Sequence, residues 1–347
     1  MISDLPSLDH VAALSDDTGI IQHATLSVPN RSTGYCTDDV SRALIVALMR
    51  RALAPQDAAA SRLAGIYLAF LHDAQLTDGR FHNFMSYERA WLDDVGTHDS
   101  CGRAIWSLGY AVRYAGRRDW QEFAAMLFDR ALPSIEWLSY SRAQAYALLG
   151  LAHAFRTRPR AAYRAAIESL LADSLARIGA VANEDWYWFE DVLTYDNARL
   201  PEALIRAGSA VGDRAAVTQG FRTLAFLEEV VFEGELFVPI GNDGWYERGG
   251  RRARFAQQPL EAVAMADAEL AALDASGPAA HLDRARRAYA WYTGANLLGV
   301  PIVRDGGCCD GLESDGVNAN MGAESTLAYL SCAYGLALRQ KQPAVTR

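Results

Sequence analysis

The chain has 347 residues, 51% of them hydrophobic, so it can bury a large core, and helical toroids of this length form one domain. Its formal net charge of −9 leaves no basic face to neutralise phosphates, which argues against nucleic acid and anionic membrane surfaces as partners. A neutral or cationic ligand fits this charge better.

The N-terminus and the cysteines predict a cytoplasmic protein with reduced thiols. The opening MISDLPSLDHVAALSDD lacks the basic start and apolar run of a secretory signal, and no run of about 18 apolar residues occurs anywhere. Five cysteines are an odd number in a long chain and do not suggest a disulfide framework.

Apolar residues recur every three or four positions, which predicts helices along most of the chain. In chain order we place twelve, at 5–15, 37–53, 57–75, 98–115, 119–137, 141–156, 160–178, 198–210, 213–230, 259–274, 282–297 and 323–339. After the first helix they pair into five hairpins, and a short turn connects the two helices within a hairpin. The last helix would pair with the first. The pattern predicts an all-α (α/α)6 toroid, one domain over 1–347 with a flexible tail at 340–347.

Six helices rich in Ala, Gly, Ser and Leu suit a crowded inner ring, and a short polar string opens each of them. The strings begin at Thr37, His98, Ser141, Tyr195, Gln257 and Gly322. The connections between hairpins are long, at 76–97, 179–197, 231–258 and 298–322, and they are expected on the same rim as the strings. Within them, VFEGELFVPI at 231–240 has the pattern of a small hairpin.

Acids near the start of an inner helix have two readings. Asp38 and Asp39 follow Thr37, and Asp99 follows His98. Each acid can complement the free N–H groups and dipole of its helix, or it can point into the ring as a functional carboxylate.

The segment 183–201, NEDWYWFEDVLTYDNARLP, is the strongest local signal in the chain. Its aromatic residues are interleaved with five acids, and burying those acids without partners would be costly. A ligand cleft is more economical, because aromatic faces stack on sugar rings while carboxylates and amides bind hydroxyl groups. Two other segments, 241–262 and 306–325, repeat this mixture of acids and amides, the first of them with aromatics as well.

The strings TDDVSRAL, WFEDVLTYDNARLPEAL, GNDGWY with FAQQPLEA, and GVNANMGAESTLAYL resemble those of a bacterial six-hairpin family described as glycosyltransferase-associated or glycosidase-like. The resemblance covers roughly 35–335. More widely, the chain resembles the six-hairpin glycosidase superfamily, whose members use two carboxylates at the mouth of the toroid. The string HDSCGRA departs from the expected pattern, which leaves the roles of His98 and Cys101 open.

Glycoside cleavage needs one carboxylic acid as proton donor and a second carboxylate as base or nucleophile. We expect this pair among Asp39, Asp99, Glu190 and Asp191, and favour Asp191 because neighbouring aromatics would raise the pKa of its carboxyl group. The expected sugar-binding residues are Asp38, His98, Arg103, Trp186, Trp188, Tyr195, Asp196, Asn197, Arg199, Asn242, Asp243, Trp245, Tyr246, Gln257, Gln258, Glu261, Asn318, Asn320 and Glu324.

The sequence therefore predicts a glycoside hydrolase acting on an oligosaccharide, with no cofactor and no bound metal. Two alternatives stay open: a sugar epimerase of the same fold, which would move protons with histidines such as His82 and His98, and a glycan-binding protein without activity. Zinc at His98, Cys101, Cys308 and Cys309 is disfavoured, because the spacing is unlike paired CxxC motifs. The sugar, the linkage and the oligomeric state are not predicted.

Overall fold

The computed structural model describes residues 5–275 and 277–341. Over these residues the chain forms twelve α-helices: α1 (Asp9–Leu14), α2 (Thr37–Leu53), α3 (Ala58–Ala74), α4 (His98–Tyr114), α5 (Arg118–Ala131), α6 (Ser141–Thr157), α7 (Ala161–Val181), α8 (Arg199–Val211), α9 (Arg214–Val231), α10 (Pro259–Asp274), α11 (Ala280–Ala290) and α12 (Ala323–Lys341). Each lies where the periodicity predicts one.

The even-numbered helices form a closed inner ring. They contact one another in the order α2, α4, α6, α8, α10 and α12, and α12 returns to contact α2. Each also packs on its outer partner, α2 on α3, α4 on α5, α6 on α7, α8 on α9, α10 on α11 and α12 on α1. The predicted (α/α)6 toroid is confirmed, and buried apolar side chains from all parts of the ring belong to one connected core.

Small residues bring inner helices close together, most clearly where α4 crosses α6. A Cβ atom on Gly102 would lie 2.5 Å from the carbonyl oxygen of Ala143, and one on Gly109 would overlap the carbonyl oxygen of Gly150. Backbone rather than a movable side chain occupies the space that each glycine leaves. The Ala- and Gly-rich composition of the inner helices is therefore a packing requirement.

Gly109→Ala is expected to lower the free energy of unfolding by about 1–3 kcal/mol, because the added methyl group forces the backbones of α4 and α6 apart. Gly179→Ala is the matched control, since Gly179 is exposed in α7 and its Cβ would meet nothing within 4 Å. The control should gain roughly 0.5–1 kcal/mol from helix propensity. Urea unfolding of both variants tests this, and equal stability changes would contradict it.

Short antiparallel strand pairs organise the long loops. The strands are β1 (Ala24–Thr25), β2 (Val28–Pro29), β3 (Tyr35–Cys36), β4 (Phe84–Met85), β5 (Val192–Leu193), β6 (Phe232–Glu233), β7 (Leu236–Phe237), β8 (Tyr246–Glu247), β9 (Val303–Arg304), β10 (Gly307–Cys308), β11 (Gly311–Glu313) and β12 (Gly316–Asn318). They pair as β1–β2, β3–β4, β5–β8, β6–β7, β9–β10 and β11–β12. The hairpin β6–β7 lies within the predicted 231–240 segment.

Helix α1 begins at Asp9 rather than at the predicted residue 5. Two helix ends differ from the prediction for local reasons. Helix α5 ends at Ala131 and continues as a 3-10 helix through Pro133, because proline cannot donate the next α-helical hydrogen bond. Helix α11 ends at Ala290 and a 3-10 turn leads to Gly294, whose φ of 110° stops the helix before the predicted residue 297. Residues 340 and 341 of the predicted tail continue α12, and the remainder, 342–347, lies outside the described residues. Within the described ranges, no helix is both long enough and apolar enough to cross a membrane.

Candidate active site

A cavity of about 410 Å3 opens among the long loops, a size typical of small-molecule sites. Its walls are the starts of α2, α10 and α12 together with loop residues near β1, β4 and β11. Acids and amides dominate the lining side chains, which are Gln22, His23, Cys36, Asp38, Asp39, Arg42, Asn83, Phe84, Asn242, Gln257, Gln258, Asp310, Glu313, Asn318, Glu324 and Ser325.

The first turn of α2 fixes Asp38 at the cavity wall. The Thr37 hydroxyl donates to the His82 carbonyl oxygen at 2.6 Å, which ties the start of the helix to the loop before β4. Asp38 then places its Oδ1 atom 2.9 Å from Nε of Arg103, a buried residue of α4. Neither oxygen of Asp38 accepts a hydrogen bond of good geometry among the described residues, so the charge of Arg103 holds this carboxylate and its Oδ2 atom is available.

Arg42 joins two carboxylates beside the cavity. Its Nη1 atom lies 2.9 Å from Oδ1 of Asp39, and its Nη2 atom lies 2.6 Å from Oε2 of Glu324. The other Asp39 oxygen accepts the Cys36 thiol at 3.2 Å. Burial raises the pKa of Asp39 to about 6 despite the neighbouring guanidinium. Both Asp39 oxygens are occupied by protein groups, so this residue holds Arg42 in place rather than facing a ligand freely.

Unlike Asp38, Asp39 and Glu324, Asp310 forms no ion pair with a basic side chain in the described structure, and the same holds for Glu313. Its Oδ1 atom accepts the Ser325 hydroxyl at 2.9 Å and the Gly322 N–H at 3.2 Å. Burial raises the pKa of this carboxyl group, and those two hydrogen bonds only partly offset the increase. Asp310 is therefore suited to carry a proton on its second oxygen.

A buried polar network closes the ring beneath the cavity. Arg103 Nη2 lies 2.6 Å from the Tyr146 hydroxyl and 3.1 Å from Oδ2 of Asp196. Asp196 has a φ of 50°, a conformation costly for a residue with a side chain, and these partners hold it there. At the depth of this network, Arg42, Arg103 and Arg199 line a void of only about 30 Å3. A ligand therefore enters from the loop side and stops above this network.

Glu261, at the start of α10, is buried beside the network. Its Oε1 atom accepts the backbone N–H of Asp196, and its Oε2 atom lies 3.5 Å from Nδ2 of Asn197. Burial, with a further contribution from the charge of Asp196, raises the pKa of Glu261 to about 8. At neutral pH this side chain is largely uncharged.

The raised pKa of Glu261 predicts a pH dependence of stability. The folded state holds a proton that the unfolded state releases near pH 4–5, so this contribution is complete below that range and is lost as pH rises to about 8. Glu261→Gln removes the titration. The stability of wild type relative to the variant should fall by up to about 2–3 kcal/mol between pH 5.5 and 7.5. Exposed Glu168→Gln is the control, and a constant difference between wild type and Glu261→Gln would contradict the prediction.

Seven residues expected from the sequence line the cavity: Asp38, Asp39, Asn242, Gln257, Gln258, Asn318 and Glu324. Gln257 is held by protein groups, since its Oε1 atom accepts the Trp291 indole N–H at 2.7 Å and its Nε2 atom donates to the Arg254 carbonyl oxygen. Gln258 is half-buried and has no such partners among the described residues. It is the better candidate for a sugar hydroxyl.

A second group of expected residues lies in hydrogen-bonded networks next to the cavity rather than on its wall: Asp99, Arg103, Glu190, Tyr195, Asp196, Asn197, Arg199 and Glu261. Asp99 accepts the Tyr195 hydroxyl at 2.6 Å, and Glu190 lies 3.0 Å from Nη1 of Arg142. Each of these two acids has one oxygen on a side chain of the protein, and neither lines the cavity. Their expected catalytic roles stay a prediction.

The aromatic residues of 183–201 contribute to the core, not to the cavity. Trp188 is fully buried, and Trp186 packs against Phe226 and Tyr246. The neighbouring acids are not buried with them: the Asp191 side chain is 74% exposed and pairs with Arg248 at 3.1 Å. The backbone turns the rings of Trp186 and Trp188 inward and the Asp191 carboxylate outward, which the sequence does not show. The expected aromatic cleft around Asp191 is therefore not present in the described structure.

The other expected residues also lie outside the cavity lining. His98 stacks on Trp137 with ring centroids 3.8 Å apart, and the Trp245 ring lies 6.4 Å from that of Tyr195. Asp243 is exposed on its loop, and Asn320 accepts the Leu26 N–H at 3.0 Å. The five cysteines are free and buried.

Sequence reasoning missed several lining residues, notably Gln22, His23, Arg42, Asn83, Asp310 and Glu313. Arg42 carried a detectable signal, since it lies three residues after Asp39 on the same face of an otherwise small and apolar helix. Asp310 carried less, because its position depends on the path of the loop through β9–β12. The cavity is consequently weighted toward the first, fifth and sixth inner helices, and the fourth lies beneath it.

Comparisons with known proteins bear on the fold. No protein-family model matches the chain, and no curated protein sequence does. The cellobiose 2-epimerase from Bacillus thermoamylovorans has a TM-score of 0.72 at 12% identity over 96% of both chains. A sugar epimerase from a ruminal bacterium has a TM-score of 0.74 at 11% identity over 97% of both. The GH76 α-mannanase from Bacteroides thetaiotaomicron has a TM-score of 0.70 at 10% identity, over 96% of this chain and 94% of its own. At these identities the likeness is one of fold, and it confirms the expected six-hairpin toroid.

Proposed function

We propose that this protein is a glycoside hydrolase that removes a terminal neutral sugar from a short oligosaccharide. Asp310 is the proton donor and Asp38 is the second carboxylate. The observation that carries the proposal is the contrast between these two acids on one cavity: Asp310 is unpaired with a raised pKa, whereas Asp38 is fixed by Arg103 at 2.9 Å.

That contrast matches the two roles of glycoside cleavage. The leaving oxygen needs a carboxyl group that is still protonated, and burial of Asp310 without a basic partner favours its protonated form. The second role needs a carboxylate beside the reacting carbon, and Asp38 lines the cavity with its Oδ1 atom 2.9 Å from Nε of Arg103. The free Oδ2 of Asp38 would then activate water or attack the anomeric carbon, depending on its distance from Asp310 when substrate is bound.

The charge and the depth of the cavity support a neutral, terminal sugar. Five carboxylates line it, and its one arginine, Arg42, is already paired with two of them, so a uronate or phosphorylated sugar would be repelled. Because the polar network beneath the cavity closes the ring, a polysaccharide cannot pass through it. Amide side chains such as Gln258 and Asn242 remain to bind hydroxyl groups.

A sugar epimerase is the second candidate, and one specific observation favours it: His23 lines the cavity, in a fold shared with a cellobiose 2-epimerase. Epimerisation moves a proton next to a carbonyl group and commonly uses histidine for this purpose. Against it, the lining contains one histidine beside five carboxylates. A glycan-binding protein without activity is the remaining alternative.

The three functions can be separated in one screen. Purified protein is incubated with mannose- and glucose-containing oligosaccharides, aryl glycosides, cellobiose and free mannose, and the products are separated by chromatography. Our proposal predicts release of a monosaccharide by wild type. An epimer of cellobiose or mannose without cleavage would indicate the second candidate. Binding with no turnover, unchanged in Asp38→Asn and Asp310→Asn, would indicate a binding protein.

A further inference from the structure

A second cluster of ionisable side chains lies away from the cavity, between two neighbouring hairpins. Glu228 on α9, Glu269 on α10 and His281 on α11 each place one potential ligand atom within 4.8 Å of the other two. None of the three lines the cavity. The mechanism proposed above does not use them.

The hydrogen bonds of this cluster are incomplete. Nδ1 of His281 lies 2.5 Å from Oε2 of Glu269 and 3.6 Å from Oε1 of Glu228. A single Nδ1–H can satisfy only one of these oxygens. Glu269 is fully buried, and within residues 5–275 and 277–341 neither its Oε1 atom nor the buried Oε1 atom of Glu228 has a hydrogen-bond partner. Carboxylate oxygens left buried without donors are costly, so a missing positive group is indicated.

The charges point the same way. Two carboxylates lie in the cluster, and Arg284 approaches only one of them, at 3.2 Å from Oε2 of Glu228. Glu269 is fully buried and has no arginine or lysine partner among the described residues, so a proton or a cation must compensate its charge.

We propose that Glu228, Glu269 and His281 bind one Zn²⁺ ion that cross-links the hairpins α8–α9 and α10–α11. One imidazole nitrogen with two carboxylate oxygens is a donor set that suits zinc, with water as the fourth ligand. Ca²⁺ and Mg²⁺ prefer more oxygen ligands and no imidazole. Arg284 orients Glu228 from outside, as groups behind a metal ligand commonly do. The ion is structural, since it lies apart from the cavity.

The test uses the full chain after chelator treatment and dialysis. Titration with Zn²⁺ should show one binding site per chain by calorimetry, and the unfolding temperature should rise with Zn²⁺ and fall again with EDTA. Co²⁺ provides an independent signature, since a tetrahedral site gives visible absorption bands. Glu228→Gln should remove both the binding and the bands. Glu229→Gln, at the exposed neighbouring position of α9, should retain both.

Other results would overturn the inference. If wild type neither binds Zn²⁺ nor changes its unfolding temperature, a proton shared by the two glutamates fills the cluster instead. If Glu228→Gln binds Zn²⁺ as wild type does, the ion is held elsewhere. Should Glu269→Gln fail to fold, Glu228→Gln and His281→Asn decide, because their positions are less completely buried. Loss of glycosidase activity plays no part in this test, so it stands or falls separately from the proposed function.

Discussion

Asp310→Asn and Asp38→Asn are each expected to lower kcat by about 10²–10⁴-fold on the substrate that the screen identifies, with correctly folded protein. Asparagine keeps the shape of each side chain but can neither donate the proton nor carry the negative charge. Because the two groups act in one step, the double variant should lose little more than the worse single variant. Initial rates measured by product release give the comparison.

Two controls make this prediction specific to the cavity. Asp315 lies on the turn between β11 and β12, is exposed and does not line the cavity, so Asp315→Asn should keep wild-type kcat. Asp191→Asn should also keep it, because the Asp191 side chain is 74% exposed and paired with Arg248. Full activity in Asp310→Asn would refute the assignment, and a large loss in Asp191→Asn would favour the carboxylate preferred from the sequence.

Arg199→Met is expected to have the largest effect on stability, lowering the free energy of unfolding by about 3–5 kcal/mol. Arg199 is 4% exposed and lies 2.7 Å from Oε2 of Glu202 and 2.8 Å from Oδ2 of Asp267. Methionine fills much of the same volume but leaves the Asp267 carboxylate without its cation and Glu202 with Arg206 alone. Urea unfolding at pH 7 measures the loss.

The matched control replaces an arginine of an exposed pair. Arg286 contacts Asp283 at 3.2 Å, but both side chains are largely exposed, at 45% and 64%. Arg286→Met should therefore change the free energy of unfolding by less than about 1 kcal/mol, because water replaces the lost partner. A similar loss in both variants would show that the network inside the ring contributes no more than a surface ion pair.

The sequence predicted the helices well because their signals are local. Apolar residues repeat at the helical period along the helices. At two helix ends the apolar pattern continues beyond the helix, and Pro133 and Gly294 explain why the helix stops earlier. The inner ring was also predictable, since only small residues allow the approach seen between Gly109 and Gly150. The closure of the ring followed from the even number of helices and the length of the connections.

The candidate site was predictable only where it begins on a helix. Asp38, Asp39 and Glu324 lie in the first turns of inner helices, which had to meet at one rim. Asp310 and Glu313 lie in a loop whose path is set by the pairing of β11 with β12 and of Gln257 with Leu312. Such long-range backbone pairs have no short sequence signal.

The 183–201 segment shows why composition alone does not place side chains on a cavity wall. Aromatic and acidic residues lie next to one another there, as they would in a sugar cleft, but the fold places Trp188 in the core and Asp191 in solvent. Which face each side chain takes depends on the turn that leads into β5. Another acid of the segment, Glu190, pairs with Arg142 and so is accommodated without a ligand.

Mass spectrometry of the products from a disaccharide substrate is the most direct test of the central claim. A hydrolase that uses Asp310 and Asp38 should convert the disaccharide into two monosaccharides, and Asp310→Asn should leave it intact over the same time. A product of unchanged mass but different retention, formed equally by wild type and Asp310→Asn, would contradict the account and identify the protein as an isomerising enzyme.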